Sequence, residues 1–280
     1  MAEPPSDLVE LVNPDGRAPV LLLCDHADRV VPGGLATLGV GAADLDRHIG
    51  WDIGAAALTR ALATGLDAPA LLCLASRLYV DANRRPGLPS SMPSHSDGTL
   101  VPGNRTVAPE EVRDRLRRAW LPYHRAIARR IADARRAGAI PALIAVHSFT
   151  PRINGVDRPW QVGVLWRGDR RLSQPVLEAL RARGDLVVGD NQPYSGQADF
   201  GYTITFHAQR TRLPHLMLEI RQDEIADPPG VARWTGILLP ILAAALARPG
   251  IHRLHAGDLR EHLGAGRSWR DACRSAPLPR

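Results

Sequence analysis

Lysine is missing from this chain altogether: all 35 basic residues are arginine. That excludes chemistry built on a lysine amine, such as a Schiff base, a pyridoxal phosphate anchor or a phosphate-loop lysine. Cysteine is nearly as scarce. Cys24, Cys73 and Cys273 are too few and too scattered for a disulfide framework, and Cys24 and Cys73 fall in apolar runs that read as core thiols. Aromatic residues make up 5% of the chain, and no aromatic platform interleaves with the basic residues. A net charge of +6 and a pI near 10 therefore do not point to nucleic acid, since the arginines alternate with acids at helical spacing, as between Glu110 and Arg118. The N-terminus lacks a basic segment followed by an apolar one, so no signal peptide is expected. The apolar run 237–246 is too short to cross a bilayer. The expectation is a cytoplasmic protein without nucleic-acid or membrane partners, its oligomeric state open.

What is present suffices for a core. With 45% apolar residues over 280 positions, the chain can fill one large α/β domain. Apolar runs at 19–24, 70–75, 141–146, 161–166, 186–188 and 215–220 read as strands. Helical spacing covers 51–66, 109–137, 173–183, 203–209 and 231–247, with 44–48 as a short helical opening. Pro109 followed by Glu110 and Glu111 starts one long helix, since proline suits the first turn and acids suit the positive end of the dipole. Strands alternating with helices argue for a mainly parallel sheet covered on both faces. Residues 1–18, with Pro4, Pro5, Pro14 and Gly16, read as a loose leader, and Pro32-Gly33-Gly34 as a turn. The stretch 90–107 reads as a long surface loop, of a length that often serves as a lid or binding loop. Residues 248–280 form a tail rich in Arg, Gly and Pro. With no internal repeat, the chain is read as a single domain over 1–280 with its core at about 19–247.

The chemistry gathers where strands end. Open α/β sheets bind ligands in the crevice outside the carboxyl ends of their strands. His26 follows the run 19–24, His147 closes the run 141–146, and Glu219 lies near the end of 215–220. The segment after 70–75 carries Arg77, Asn83, Arg84 and Arg85 on the same rim. Arg84 beside Asn83 can grip a carboxylate, because the guanidinium fork matches its two oxygens. Two neutral imidazoles and one carboxylate hold zinc and leave a fourth position for water, whose pKa falls toward neutrality there. A second carboxylate then takes the proton. The third ligand is open between Asp52, at a helix start, and Asp46. Each residue also has a plainer use: His26 as a strand-end cap, His147 as a core histidine bonded near Ser148, and Glu219 in an internal ion pair with Arg221 on the same strand face. No nucleophile elbow surrounds Ser148. His95 falls in the long loop, His124 beside Tyr123 reads as packing that could face the site, and His252, His255 and His262 lack the acidic pattern of a metal site.

Taken in order, Cys24-Asp25-His26-Ala27 with Val31-Pro32, His48-Ile49-Gly50-Trp51-Asp52-Ile53-Gly54-Ala55, Ser76-Arg77-Leu78 with Asp81, Asn83 and Arg84, Val146-His147-Ser148-Phe149, and Leu218-Glu219-Ile220-Arg221-Gln222-Asp223 resemble the N-formylglutamate amidohydrolase family. The resemblance spans residues 20–245. It implies a three-layer α/β sandwich with a mixed, mainly parallel central sheet, phosphorylase/hydrolase-like and of the zinc-carboxypeptidase type shared with aspartoacylases. It implies one Zn2+ per chain on His26, Asp52 and His147, Glu219 as general base, and Asn83 with Arg84 on the substrate's α-carboxylate. Arg77, Arg85 and Arg221 are further candidates for binding substrate. The carboxypeptidase pattern has an acid three residues after the first histidine. Arg29 stands there in this chain, and Asp28 stands where asparagine is expected, so the third ligand comes from elsewhere. The implied activity is hydrolysis of the amide bond of a small N-formyl or other N-acyl amino acid, a C–N bond other than a peptide bond, in a bacterial enzyme. The alternatives are another zinc amidase or carboxypeptidase acting on peptide or cell-wall fragments, and a non-catalytic binding protein of the same fold.

Overall fold

The apolar runs assemble into one seven-stranded sheet, seen in a computed structural model that describes residues 7–32, 38–153, 155–195 and 201–257. Its strands are β1 (Val9–Val12), β2 (Val20–Cys24), β3 (Ala70–Cys73), β4 (Ala142–Phe149), β5 (Val162–Leu165), β6 (Val188–Asp190) and β7 (His215–Arg221). They lie in the order β1-β3-β2-β4-β7-β5-β6. The pairs β3/β2, β2/β4, β4/β7 and β5/β6 are parallel, while β1/β3 and β7/β5 are antiparallel. The sheet is thus mixed and mainly parallel. Its central strands are buried along their whole length, which explains why they read as unbroken apolar runs rather than alternating ones.

Helices cover both faces. α1 (Ala55–Gly65), α4 (Ser173–Ala182) and α5 (Pro228–Leu246) pack on one face, α2 (Pro109–Arg115) leads into α3 (Leu121–Arg136), and α3 packs on the other. Successive residues of β2 serve opposite faces, as strand periodicity requires. Leu22 joins Leu58, Leu62, Trp234 and Leu238, whereas Leu21 and Leu23 join Tyr123, Ile127 and Ile131. Each such leucine contributes about 1.5–3 kcal/mol by leaving water. α5 has 19 residues, long and apolar enough by length and composition to span a bilayer; here Trp234, Ile237, Leu238 and Leu242 are buried in the core.

Three expectations need correcting. The leader contains β1, whose Val-Glu-Leu-Val alternation pairs with β3 while Glu10 forms an ion pair with Arg60. α1 begins at Ala55 rather than near Trp51, because Gly54 sits at φ 79° and a Cβ there would lie 2.1 Å from the Ile225 carbonyl oxygen. The long helix is interrupted by a π turn over Leu116–Trp120, where the Leu121 amide reaches back to Leu116. Pro122 has no N–H to give and its ring crowds the preceding turn, so the ladder widens just before it. The loop 90–107 lies at the surface, as expected, and is pinned there. The fully buried Arg115 donates to the Tyr79 carbonyl and Asn104 Oδ1, and Asn104 donates to the carbonyls of Leu78 and Pro93. That anchorage holds the segment after β3, which carries the arginines, in place. Met1 to Pro5, Gly33, Gly34, His262, Cys273 and the tail beyond residue 257 lie outside the described residues.

Candidate metal centre and active site

Parallel pairing of β2 with β4 and of β4 with β7 brings the strand ends side by side. His147 and Glu219 are direct partners in the β4/β7 register, and His26 stands just past the end of β2. Asp52 is set by the turn before α1: its amide donates to the His26 carbonyl at 3.0 Å, so one candidate ligand is tied to the backbone of another. Asp52 Oδ2 then lies 3.2 Å from His26 Nδ1 and 2.8 Å from His147 Nδ1. The other ring nitrogens meet separate carboxylates, His26 Nε2 at 2.8 Å from Asp81 Oδ1 and His147 Nε2 at 3.0 Å from Asp25 Oδ2. The rings are 5.2 Å apart, and His26, Asp52 and His147 are all buried with donor atoms within 4.8 Å of one another.

This arrangement has a chemical consequence. Asp81 and Asp25 can only accept, so each Nε2 carries a hydrogen and each Nδ1 faces Asp52. Two Nδ1 lone pairs and a carboxylate oxygen then aim at one point, which needs a positive centre: a proton or a metal ion. The protonation tendencies agree. Burial, then Arg77, pull His26 down, but Asp81 and Asp52 outweigh them and raise it. Burial likewise opposes the charged form of His147, yet hydrogen bonds to Asp25 and Asp52 raise it well above its ordinary range. Burial favours the neutral form of Asp52, but His26 and His147 hold it well below the carboxylate range. Carboxylates behind metal-facing imidazoles fix ring orientation and increase ligand basicity.

The group opens onto a cavity of about 140 Å³ lined by Arg77, Asn83, Arg84, Ser148, Tyr194, Met217 and Glu219 as well. Glu219 is buried, and its Oε2 has no hydrogen-bond partner among the described residues. Burial pushes its carboxyl up to about 7, Asp52 adds to the rise, and His147 and Arg77 oppose it. Gly163 is its partner across β5, and a Cβ there would lie 1.9 Å from the Gln192 carbonyl oxygen, so only glycine lets the segment leading to Tyr194 approach. Arg84 donates to the Asn83 carbonyl, while Asn83 Oδ1 accepts from the Thr203 amide.

Other candidates fall differently. Arg77 lines the cavity, but it donates to Asp52 at 3.0 Å and to Asp81 at 3.4 Å, within the shell around the imidazoles. Arg221 is not among the cavity-lining residues. The chain turns after β7, and its guanidinium meets Asp223 and Glu224, so the alternative pairing with Glu219 does not form. Arg85 is exposed and off the cavity wall. Asp46 is exposed and paired with Arg29, away from both imidazoles. The Ser148 hydroxyl is given to the Ile53 carbonyl.

Reasoning from sequence gave no role to Asp25, Asp81, Tyr123, Thr203 or Tyr194. Asp25 is wholly buried and accepts from the hydroxyls of Tyr123 and Thr203 at 2.9 and 2.8 Å. His124 is not among the cavity-lining residues. Its Nε2 donates to the Ala82 carbonyl and its Nδ1 meets His207 Nε2 at 2.8 Å, bracing the chain between Asp81 and Asn83. Burial lowers these two rings to about 4 and about 3. An acid directly before a strand-end histidine, as at Asp25, was the one local signal for this layer.

Comparison with known proteins follows the same lines. The family model for N-formylglutamate amidohydrolase matches residues 18–226. The gene product Atu2144 of Agrobacterium tumefaciens superposes with a TM-score of 0.84 at 33% identity, covering 88% of this chain and 98% of that one. An N-formylglutamate amidohydrolase from Ralstonia eutropha JMP134 superposes with a TM-score of 0.65 at 22% identity, over 85% of this chain and 96% of that one, a likeness of fold. No curated protein matches the sequence.

Proposed function

The chain belongs to the N-formylglutamate amidohydrolase family, and from that premise we propose that it is a zinc-dependent enzyme hydrolysing the amide bond of a small N-formyl, or other N-acyl, amino acid. One observation carries the reading: two Nδ1 atoms and a carboxylate oxygen converge beside a buried glutamate with an unpartnered oxygen. His26, Asp52 and His147 would hold the ion, one per chain. When bound, zinc polarises the amide carbonyl and makes water nucleophilic near neutral pH. Glu219 takes the proton of the attacking water at Oε2. As the carbon–nitrogen bond breaks, it passes that proton to the departing amine, leaving formate and the free amino acid. Arg84 and Asn83 fix the α-carboxylate, which sets the acyl group at a constant distance from Glu219. Asp25 and Asp81 hold the Nε2 hydrogens, so both Nδ1 atoms face inward. Kinship with the zinc-carboxypeptidase fold, a single domain over 1–280 with its core at 19–247, and a cytoplasmic, bacterial setting belong to the same proposal.

The test is a screen of N-formyl and N-acetyl amino acids with added zinc, alongside metal analysis. We expect one equivalent of zinc and turnover of N-formyl amino acids. Glu219→Gln should lower kcat by about 10²–10⁴-fold, the usual range for a general base, while zinc is retained. Zinc well below one equivalent, with no rescue on addition, points to a binding protein. Cleavage of peptides alone points to a carboxypeptidase.

A further inference from the structure

Resting on that reading, we infer that the substrate's side chain is uncharged and seats against Met217 and Tyr194, with Met217 setting how large it can be. The cavity wall divides by task. His26, Asp52 and His147 face the ion, Glu219 faces the water, and Asn83 with Arg84 faces the α-carboxylate. What is left of the wall is Arg77, a thioether, a phenol ring and Ser148, whose hydroxyl is given to the Ile53 carbonyl.

A glutamate side chain would need a second cation beside Arg84, and the wall's other one is already committed. Its cations among the described residues are Arg77 and Arg84. Arg77 bridges Asp52 and Asp81, so drawing it onto substrate would strip the imidazole shell. Arg158 is outside the lining and donates to the Tyr194 hydroxyl at 3.0 Å. A second carboxylate would therefore enter a buried space with no cation left to meet it, where an uncompensated charge is costly.

Met217 stands two residues before Glu219 on the same strand face and is buried. It borders the catalytic cavity and also a second, smaller one of about 20 Å³ lined by Leu165, Ile204, Gln209 and His215. Its methyl carbon lies 3.6 Å from where a Cβ on Gly201 would stand, so the side chain reaches across the boundary. Gln209 Oε1, which belongs to a residue of the smaller cavity, has no hydrogen-bond partner among the described residues. The thioether is thus a partition, and shortening it joins the two spaces.

Two measurements test this. Zinc-loaded Glu219→Gln protein is titrated calorimetrically with N-formylmethionine and N-formylglutamate. The methionine compound should bind at least about tenfold more tightly, within the range a buried-pocket mismatch supplies. In the second arm, Met217→Ala should raise the ratio of kcat/KM for N-formylphenylalanine over N-formylalanine about tenfold. Equal or tighter binding of N-formylglutamate overturns the inference, as does an unchanged ratio in a Met217→Ala protein that melts as sharply as the parent. The calorimetric arm leaves Met217 intact, so it decides even if truncation unfolds the sheet. Turnover of no N-formyl amino acid by the zinc-loaded parent sinks the hydrolase reading itself, whereas turnover with glutamate preferred overturns this inference alone.

Discussion

The rings of His26 and His147 are 5.2 Å apart, and those of His124 and His207 are 5.1 Å apart. All four are buried. The first pair has a carboxylate at every ring nitrogen, and its protonation is raised. The second pair has a backbone carbonyl and itself for company, and its protonation is lowered. Burial alone disfavours imidazolium in both places. The difference lies in who bonds the rings: acids make the first pair a seat for positive charge, while burial outweighs the more distant Asp25 and keeps the second a neutral brace.

The sharpest way to break that contrast is to remove one member of each pair. His147→Ala should abolish zinc binding and turnover together, because it takes away one of three donors. His207→Ala should keep one equivalent of zinc and lose about 1–3 kcal/mol of stability, the cost of leaving a buried hydrogen-bonding group unpaired. Metal analysis and denaturant melts on both variants decide it. Zinc loss in His207→Ala would mean that the two pairs are not separate in function. A smaller effect is expected from Asp81→Asn. It keeps the shape but removes the charge behind His26, and should weaken zinc about 10–100-fold. Chelator competition measures this, and an unchanged affinity would show that the outer carboxylate is not shaping the donor.

How much of this was legible in the sequence depends on distance along the chain. His26, His147 and Glu219 stood out because an apolar run ending in a polar residue is a local pattern. Asp25 and His147 are separated by 122 positions, and Asp81 and His26 by 55, so no local pattern pairs them. Asp52 and Asp46 stayed alternatives because helical spacing from Trp51 hides the left-handed turn at Gly54. Strand alternation assigned Arg221 to the face of Glu219, yet the strand ends there and the chain turns toward Asp223. Arg77 read as a rim cation because sequence cannot show that two carboxylates claim it. β1 was masked by the prolines around it.

The finest test compares the pH dependence of stability in zinc-free protein. His124 and His207 have folded values of about 4 and about 3, below the ordinary 6.5. Their contribution is therefore complete above about pH 6.5 and is lost as pH falls through their folded values, because the unfolded chain takes up protons first. His26 and His147 are raised, so their contribution is complete below about 6.5 and is lost as pH rises. Glu219, raised from 4.5 to about 7, costs stability as pH rises between those two values. Urea melts of the zinc-free parent between pH 4.5 and 8 should show both limbs. Replacing His124 and His207 together with glutamine should flatten the acid limb and leave the alkaline one. Glu219→Gln should remove the loss that builds between pH 4.5 and 7, with a gain of up to about 3 kcal/mol above pH 7 and none at pH 4.5. An acid limb that survives loss of both bracing histidines would show that their neutrality is not what the fold depends on there.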